Sequence, residues 1–187
     1  FTATYSIDGE TQQSQTVTVG AGETKQLTFE STFSSAGTYS LRVNDQLAGE
    51  VQVDEPAAFA VSDLQPEAIT VQQGESFDVS ATVSNTGTVS ATKSITLKIN
   101  GAIYETVSGS LAGGESATVA FDNVDTSFAD FGDNSYTVST ADSEVTGTLT
   151  VEEPAQFEVS DLQPTEITVQ QGEPFDVSAT VSNTGTS

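Results

Sequence analysis

The chain has 187 residues, of which 27 are acidic and 4 basic, for a net charge of −23. That balance excludes nucleic-acid binding, which needs clustered Lys and Arg, and attraction to an anionic membrane surface. With no Cys, His, Met or Trp, the chain has no disulfide, no thiolate metal site and no His base for a serine nucleophile. The acids stand singly among alternating apolar residues rich in Val, Ile, Phe and Thr. Disorder, the usual reading of an acidic composition, therefore does not apply. A folded protein suited to concentrated salt does, because at about 1 M salt the Debye length is about 3 Å and carboxylate repulsion is screened.

In chain order, Ala3, Tyr5 and Ile7 alternate before Asp8-Gly9, a type I′ hairpin signal that calls for φ > 0. After Gly20-Ala21-Gly22-Glu23, a strand is predicted over 26–29, then another around Tyr39 and Leu41, then a last one ending at Val53. Asp54-Glu55-Pro56 is a short, stiff link. Phe59, Val61 and Leu64 open a new run that Pro66 interrupts. Proline belongs at a sheet edge or break, so the chain is predicted to change strand partner there and resume at Ile69 and Val71. Gln73-Gly74 turns into the strict alternation of Phe77, Val79, Ala81 and Val83, which Asn85-Thr86-Gly87 ends. Ile95, Leu97 and Ile99 lead to a second hairpin at Asn100-Gly101. Strands over 117–121, around Tyr136 and Val138, and over 145–151 complete the series before a second link, Glu152-Glu153-Pro154. No window carries a helical period of useful length.

The series is repetitive. Residues 154–186 restate residues 56–88 at a distance of 98, with five differences: Ala58/Gln156, Ala60/Glu158, Glu67/Thr165, Ala68/Glu166 and Ser76/Pro174. Residues 1–55 match the part of the repeat C-terminal to that stretch, displaced by 92 at the first hairpin, 97 at Tyr39/Tyr136 and 98 at the last strand. The loop over 122–133 therefore carries about five extra residues. This divides the chain into the C-terminal part of one unit (1–55), a complete unit (57–153) and the N-terminal strands of another (154–187). A unit of about seven short strands at roughly 8–12-residue spacing is a β-sandwich of immunoglobulin-like plan. The predicted fold class is all-β: tandem seven-stranded immunoglobulin-like sandwiches without disulfides. Tyr136 precedes Val138, and Tyr39 precedes Leu41, by the two residues of a tyrosine corner. Val79 or Ala81 would face that position, and Leu97 would replace a buried Trp.

The acidic loop holding Asp122, Asp125, Asp130 and Asp133 offers oxygen ligands to a weak Ca²⁺ site. Its spacing is not that of an EF-hand, and among 27 acids some cluster by chance, so a solvated loop is the plainer reading. No catalytic or cofactor-binding residues stand out. Paired carboxylates for glycoside hydrolysis would lack a Trp platform, and the Phe residues fall mostly on core positions. No apolar run is long enough to cross a membrane. Because the chain begins in mid-pattern at Phe1, it is expected to be an excerpt of a longer precursor.

Leu64-Gln65-Pro66, Gly74-Glu75, the alternation over 77–83 and Asn85-Thr86-Gly87, with a second copy from Leu162, resemble the CARDB-type immunoglobulin-like modules of bacterial and haloarchaeal surface proteins. The scarce Lys and abundant carboxylates resemble secreted proteins of halophilic archaea. The resemblance implies a non-enzymatic, extracellular or cell-surface role, structural or adhesive, in a filament, stalk or adhesin. A carbohydrate- or protein-binding module attached to a larger secreted enzyme or receptor is the alternative, and a viral fibre component a further one. Neither end segment can close a sandwich alone, and an open sheet invites another strand. Phe157, Val159, Ile167, Val169, Phe175, Val177 and Val181, with Ala179, are expected to complete a core around Tyr5, Ile7, Leu27, Phe29, Tyr39, Leu41 and Val53. The expected partners are copies of the chain itself, head to tail, by strand complementation or as one continuous chain. Such a contact does not close and builds an open filament.

Overall fold

The computed structural model describes residues 1–185. Fourteen strands and, among the described residues, no helix make it an all-β protein. No described helix is long and apolar enough to cross a membrane. The first sheet is formed by β1 (Thr2–Ile7), β2 (Glu10–Thr16), β3 (Gly37–Val43) and β4 (Gln46–Val53), in the order β2-β1-β3-β4. Asp8 and Gly9 join β1 to β2 with φ of 46° and 86°, the left-handed pair that a tight hairpin requires.

Eight further strands make up the next unit: β5 (Phe59–Gln65), β6 (Ala68–Gln72), β7 (Ser76–Asn85), β8 (Ala91–Ile99), β9 (Ala102–Leu111), β10 (Ser116–Asp125), β11 (Gly132–Ser139) and β12 (Glu144–Glu152). They form a three-stranded sheet, β10-β7-β5, and a five-stranded sheet, β6-β12-β11-β8-β9. Eight strands stand where about seven are expected: each predicted run forms a strand, and β9, the return arm of the Asn100-Gly101 hairpin, is the eighth. β5 pairs antiparallel with β7, whereas β6 pairs parallel with β12. Pro66 lies between them; lacking an N–H, it cannot carry a ladder across the gap.

The two sheets close on one core. Phe59, Phe77, Val79, Ala81, Val83 and Phe121 come from the smaller sheet, and Leu97, Ile99, Tyr136, Val138, Leu149 and Val151 from the larger. All are buried, as the alternation along β7, β8 and β11 requires. Val119, also a predicted core residue, is half-buried against them. Tyr136 anchors the centre. Its hydroxyl donates to the Pro66 carbonyl oxygen, its ring meets Phe77 edge-on, and a Cβ at Gly147 would come within 2.4 Å of its ring.

Beyond the second link, β13 (Phe157–Gln163) and β14 (Ser178–Asn183) form a two-stranded sheet. The strands expected over 26–29 and at 167–169 do not form: both stretches are irregular. A strand is defined by its ladder, and the partners that would supply these two ladders are absent from their own segments.

Candidate functional site

The distinctive feature of the molecule is one sequence in two states. β13 and β14 repeat β5 and β7 and pair in the same register: Phe157 opposes Asn183 and Val159 opposes Val181, as Phe59 opposes Asn85 and Val61 opposes Val83. Yet Phe59 is 0% exposed and Phe157 69%, Val79 0% and Val177 61%, Val83 1% and Val181 62%. Leu162, Ile167, Val169 and Phe175 are also exposed. Full burial of a side chain of this size is worth about 1.5–3 kcal/mol, so this face forfeits most of the drive that folds its twin. All seven sequence-predicted completion residues, Phe157, Val159, Ile167, Val169, Phe175, Val177 and Val181, belong to this apolar surface.

The reason is local. In the complete unit, β8, β11 and β12 lie over β5 and β7 and bury their inner face. Among the described residues, nothing comparable covers β13 and β14. Ile69 to Gln72 belong to a strand because β12 runs parallel beside them, with Leu149 opposite Ile69 and Val151 opposite Val71. The identical residues Ile167, Thr168, Val169 and Gln170 have no such described neighbour and form no strand.

Residues 1–55 are the converse case. β1, β2, β3 and β4 reproduce β8, β9, β11 and β12, but the stretch matching β10 has no sheet to join, since β10 pairs with β7. It lies over the sheet instead. Phe29 stacks on Tyr5 at 5.4 Å, and Phe33 meets Tyr39 at 4.5 Å with the rings tilted by 35°. The amides of Gln13 and Gln15 donate to the carbonyl oxygens of Glu30 and Thr28 at 2.7 and 2.8 Å. The Tyr39 hydroxyl donates to Ser35 O at 2.9 Å, unlike its counterpart Tyr136, which reaches across to Pro66.

The Asn-Thr-Gly signature is a packing knot. The buried Asn85 amide donates to the carbonyl oxygens of Val89, Leu111 and Ala112, and its side-chain oxygen accepts from the Gly87 N–H. The incoming link seats on the same turn: Thr88 N donates to Glu55 O, and Glu55 N donates to the Thr88 hydroxyl at 2.9 Å.

Sequence reasoning missed a clamp at one end of β5. Lys93 Nζ donates to Asp142 Oδ2 and to Ala57 O, and lies over the Phe59 ring. Asp142 also accepts from the Phe59 N–H at 2.8 Å, Ser143 Oγ accepts from the Val61 N–H, and the Thr140 hydroxyl donates to Phe59 O at 2.7 Å. The Asp142 carboxyl is held below the usual carboxylate value, first by the Lys93 hydrogen bond and then by the Phe59 N–H, against some desolvation. The scarcity of Lys, only Lys25, Lys93 and Lys98 in the chain, was the available signal. The β3–β4 hairpin has only Asn44-Asp45 in place of this loop, and Phe1 stands where Lys93 would.

The structure does not bring Asp122, Asp125, Asp130 and Asp133 together. Among the described residues, no three acidic side chains are grouped to hold a metal ion. The Asp125 carboxylate caps Ser127, accepting from its N–H and its hydroxyl. The Asp133 carboxylate accepts from the Thr150 hydroxyl at 2.7 Å. Asp122 and Asp130 are exposed. Between β9 and β10, a groove of about 190 Å³ is lined largely by Val83, Ile95, Val107, Leu111 and Val119 and contains no titratable side chain.

No protein-family model matches the sequence, and no curated protein matches it. Solved structures give partial likenesses. A β-glucosidase from Erythrobacter marinus aligns at 18% identity and TM-score 0.42 over 50% of this chain and 16% of its own. A β-glucosidase from Listeria innocua, in complex with isofagomine, aligns at 19% and 0.41 over 54% and 16%. A β-galacturonidase from Eisenbergiella tayi aligns at 12% and 0.39 over 86% and 32%. The chain therefore spans less than a third of the length of these neighbours. At such TM-scores the likenesses carry no argument about activity.

Proposed function

We propose that the chain is a non-enzymatic extracellular structural protein. Its immunoglobulin-like units repeat along a surface filament, stalk or adhesin of a halophile, and each half-unit is completed by its neighbour. The observation that carries this reading is the burial of Phe59, Val79 and Val83 against the exposure of their sequence twins Phe157, Val177 and Val181. An apolar face already shaped to pack, and repeated within one chain, is a site for assembly. The stiff links, each seated on an Asn-Thr-Gly turn, suit a rod.

The test is electron microscopy and analytical ultracentrifugation of the 187-residue chain in molar KCl. Elongated particles with a repeat period of one chain are expected. A chain that stays dispersed as a monomer at all concentrations in molar salt would overturn the proposal.

A further inference from the structure

We infer that the groove between β9 and β10 docks a polypeptide partner: an extended segment, uncharged along its length and basic at each end, that adds a strand to β9. The groove lies wholly within the complete unit, so this surface goes beyond the proposed structural role and does not rest on it.

β9 is the last strand of the five-stranded sheet and β10 the last of the three-stranded sheet, so the two lie side by side without sharing a ladder. Four consecutive residues of β9, Ser108 to Leu111, line the groove, and three of β10, Ala117 to Val119. Side chains alternate between the faces of a strand, so consecutive residues line a groove only with the strand's edge. Two rows of backbone N–H and C=O groups therefore wall the groove, and no described strand pairs with either. The floor is apolar, made by Val83, Ile95 and Val107. A Cβ on Gly109 would come within 2.9 Å of Ile95 Cδ1, so the missing side chain keeps that floor open.

Native proteins blunt an exposed edge with charge, proline or a bulge. None of the three protects this one. Between Glu105 and Asp122 the only charged residue is Glu115, and there is no proline. The ladder irregularities of β9 and β10 fall at Leu97/Lys98 and Phe121/Val124, beyond the groove. Such a neutral run is set apart in a chain of net charge −23. A regular row of N–H and C=O groups is matched by another backbone, not by a sugar or a hydrocarbon, and alternate side chains of the added strand enter the groove. Its volume of about 190 Å³ suits small apolar groups, since a cavity of about 150 Å³ holds one benzene. A charged side chain there would be buried without a partner. Glu105 and Glu115, both exposed, bracket the lining run of β9 and meet basic residues at the two ends of the segment.

The probe is a fluorescently labelled peptide, Lys-Thr-Val-Thr-Val-Thr-Val-Lys, titrated with the 187-residue chain in molar KCl and read by anisotropy. Saturable binding is expected. N-methylating the central Thr and Val of the peptide removes one N–H on each edge while keeping every side chain, and should weaken binding about tenfold. On the protein, Ala117 is exposed and lines the groove, whereas Ala120 is exposed on the outer face of the same strand. Ala117→Lys should abolish binding and Ala120→Lys should leave it unchanged, with equal melting temperatures. In the unmodified chain, hydrogen exchange should show amides 106–111 gaining protection as the peptide binds.

The structural role is tested separately, by assembly. Absence of binding overturns the inference, as does equal binding of the N-methylated peptide, which would make the groove a slot for a small apolar molecule. Equal binding to the Ala117→Lys variant overturns it too, and protection confined to residues 116–121 overturns the β9 ladder. Self-association that Ala117→Lys abolishes and the peptide fails to compete with would assign the groove to a second copy and overturn the peptide partner.

Discussion

A Cβ placed on Gly87 would lie 2.1 Å from the carbonyl oxygen of Pro56, so the turn that ends β7 leaves room for the link that enters the unit only because residue 87 has no side chain. The relation recurs at Gly185, whose Cβ would lie 2.2 Å from Pro154 O. Gly87→Ala must push the link off the turn and loosen the Glu55–Thr88 hydrogen bonds. Overpacking of this kind costs about 1–3 kcal/mol. Guanidinium melts in molar KCl should show the loss, and an unchanged midpoint would mean that the link does not need its seat.

Tyr136→Phe should destabilise the complete unit by about 1–3 kcal/mol, because the Pro66 carbonyl loses its donor in a buried setting. The same hydroxyl sets an alkaline limit. Burial, and then the nearby Glu67 carboxylate, raise the Tyr136 pKa above its ordinary value. A group whose folded pKa is raised contributes stability that is complete below its unfolded value, about 10, and is lost as pH rises through the folded value. Circular dichroism melts across that range should show the wild type losing stability more steeply than the Tyr136→Phe variant.

Asp142→Asn should lower the melting temperature at neutral pH. A carboxylate whose folded pKa is depressed adds stability that is present above its unfolded value, about 3.9, and is lost as pH falls through the folded value. Wild type and variant melts should therefore differ at pH 7 and converge as the pH drops below about 4. A gap independent of pH would assign the effect to the loop geometry of Thr140 and Ser143 instead of to the charge.

With a net charge of −23, order should depend on salt. Strand signal in molar KCl should fall on dialysis to about 10 mM salt, where the Debye length is about 30 Å and the carboxylates repel across the whole domain. Mild acid at low salt should restore part of it by protonating carboxylates. Full cooperative melting at neutral pH in dilute buffer would show that the packed core overcomes the repulsion unaided.

Much of this fold is legible in the chain itself. Alternation put Phe77, Val79, Ala81 and Val83 on one buried face, Asp8-Gly9 and Asn100-Gly101 gave the hairpins, and Pro66 marked the change of sheet, because each depends on the period of a strand or the φ of a turn. The repeat was equally legible, since residues 154–186 restate residues 56–88 position by position and that can be counted. The Lys93–Asp142–Phe59 clamp could not be counted, because its members lie 49 and 83 residues apart and meet only when the sheets close. Nor could the separation of Asp122, Asp125, Asp130 and Asp133, which depends on where β10 and β11 turn and which hydroxyls they meet. The sharpest division falls within four residues. Ile-Thr-Val-Gln has the same strand propensity at 69 and at 167, and the sequence determines that much. Whether it becomes a strand was decided by tertiary structure, because a ladder is made of hydrogen bonds to a neighbour, and β12 stands beside the first copy while no described strand stands beside the second.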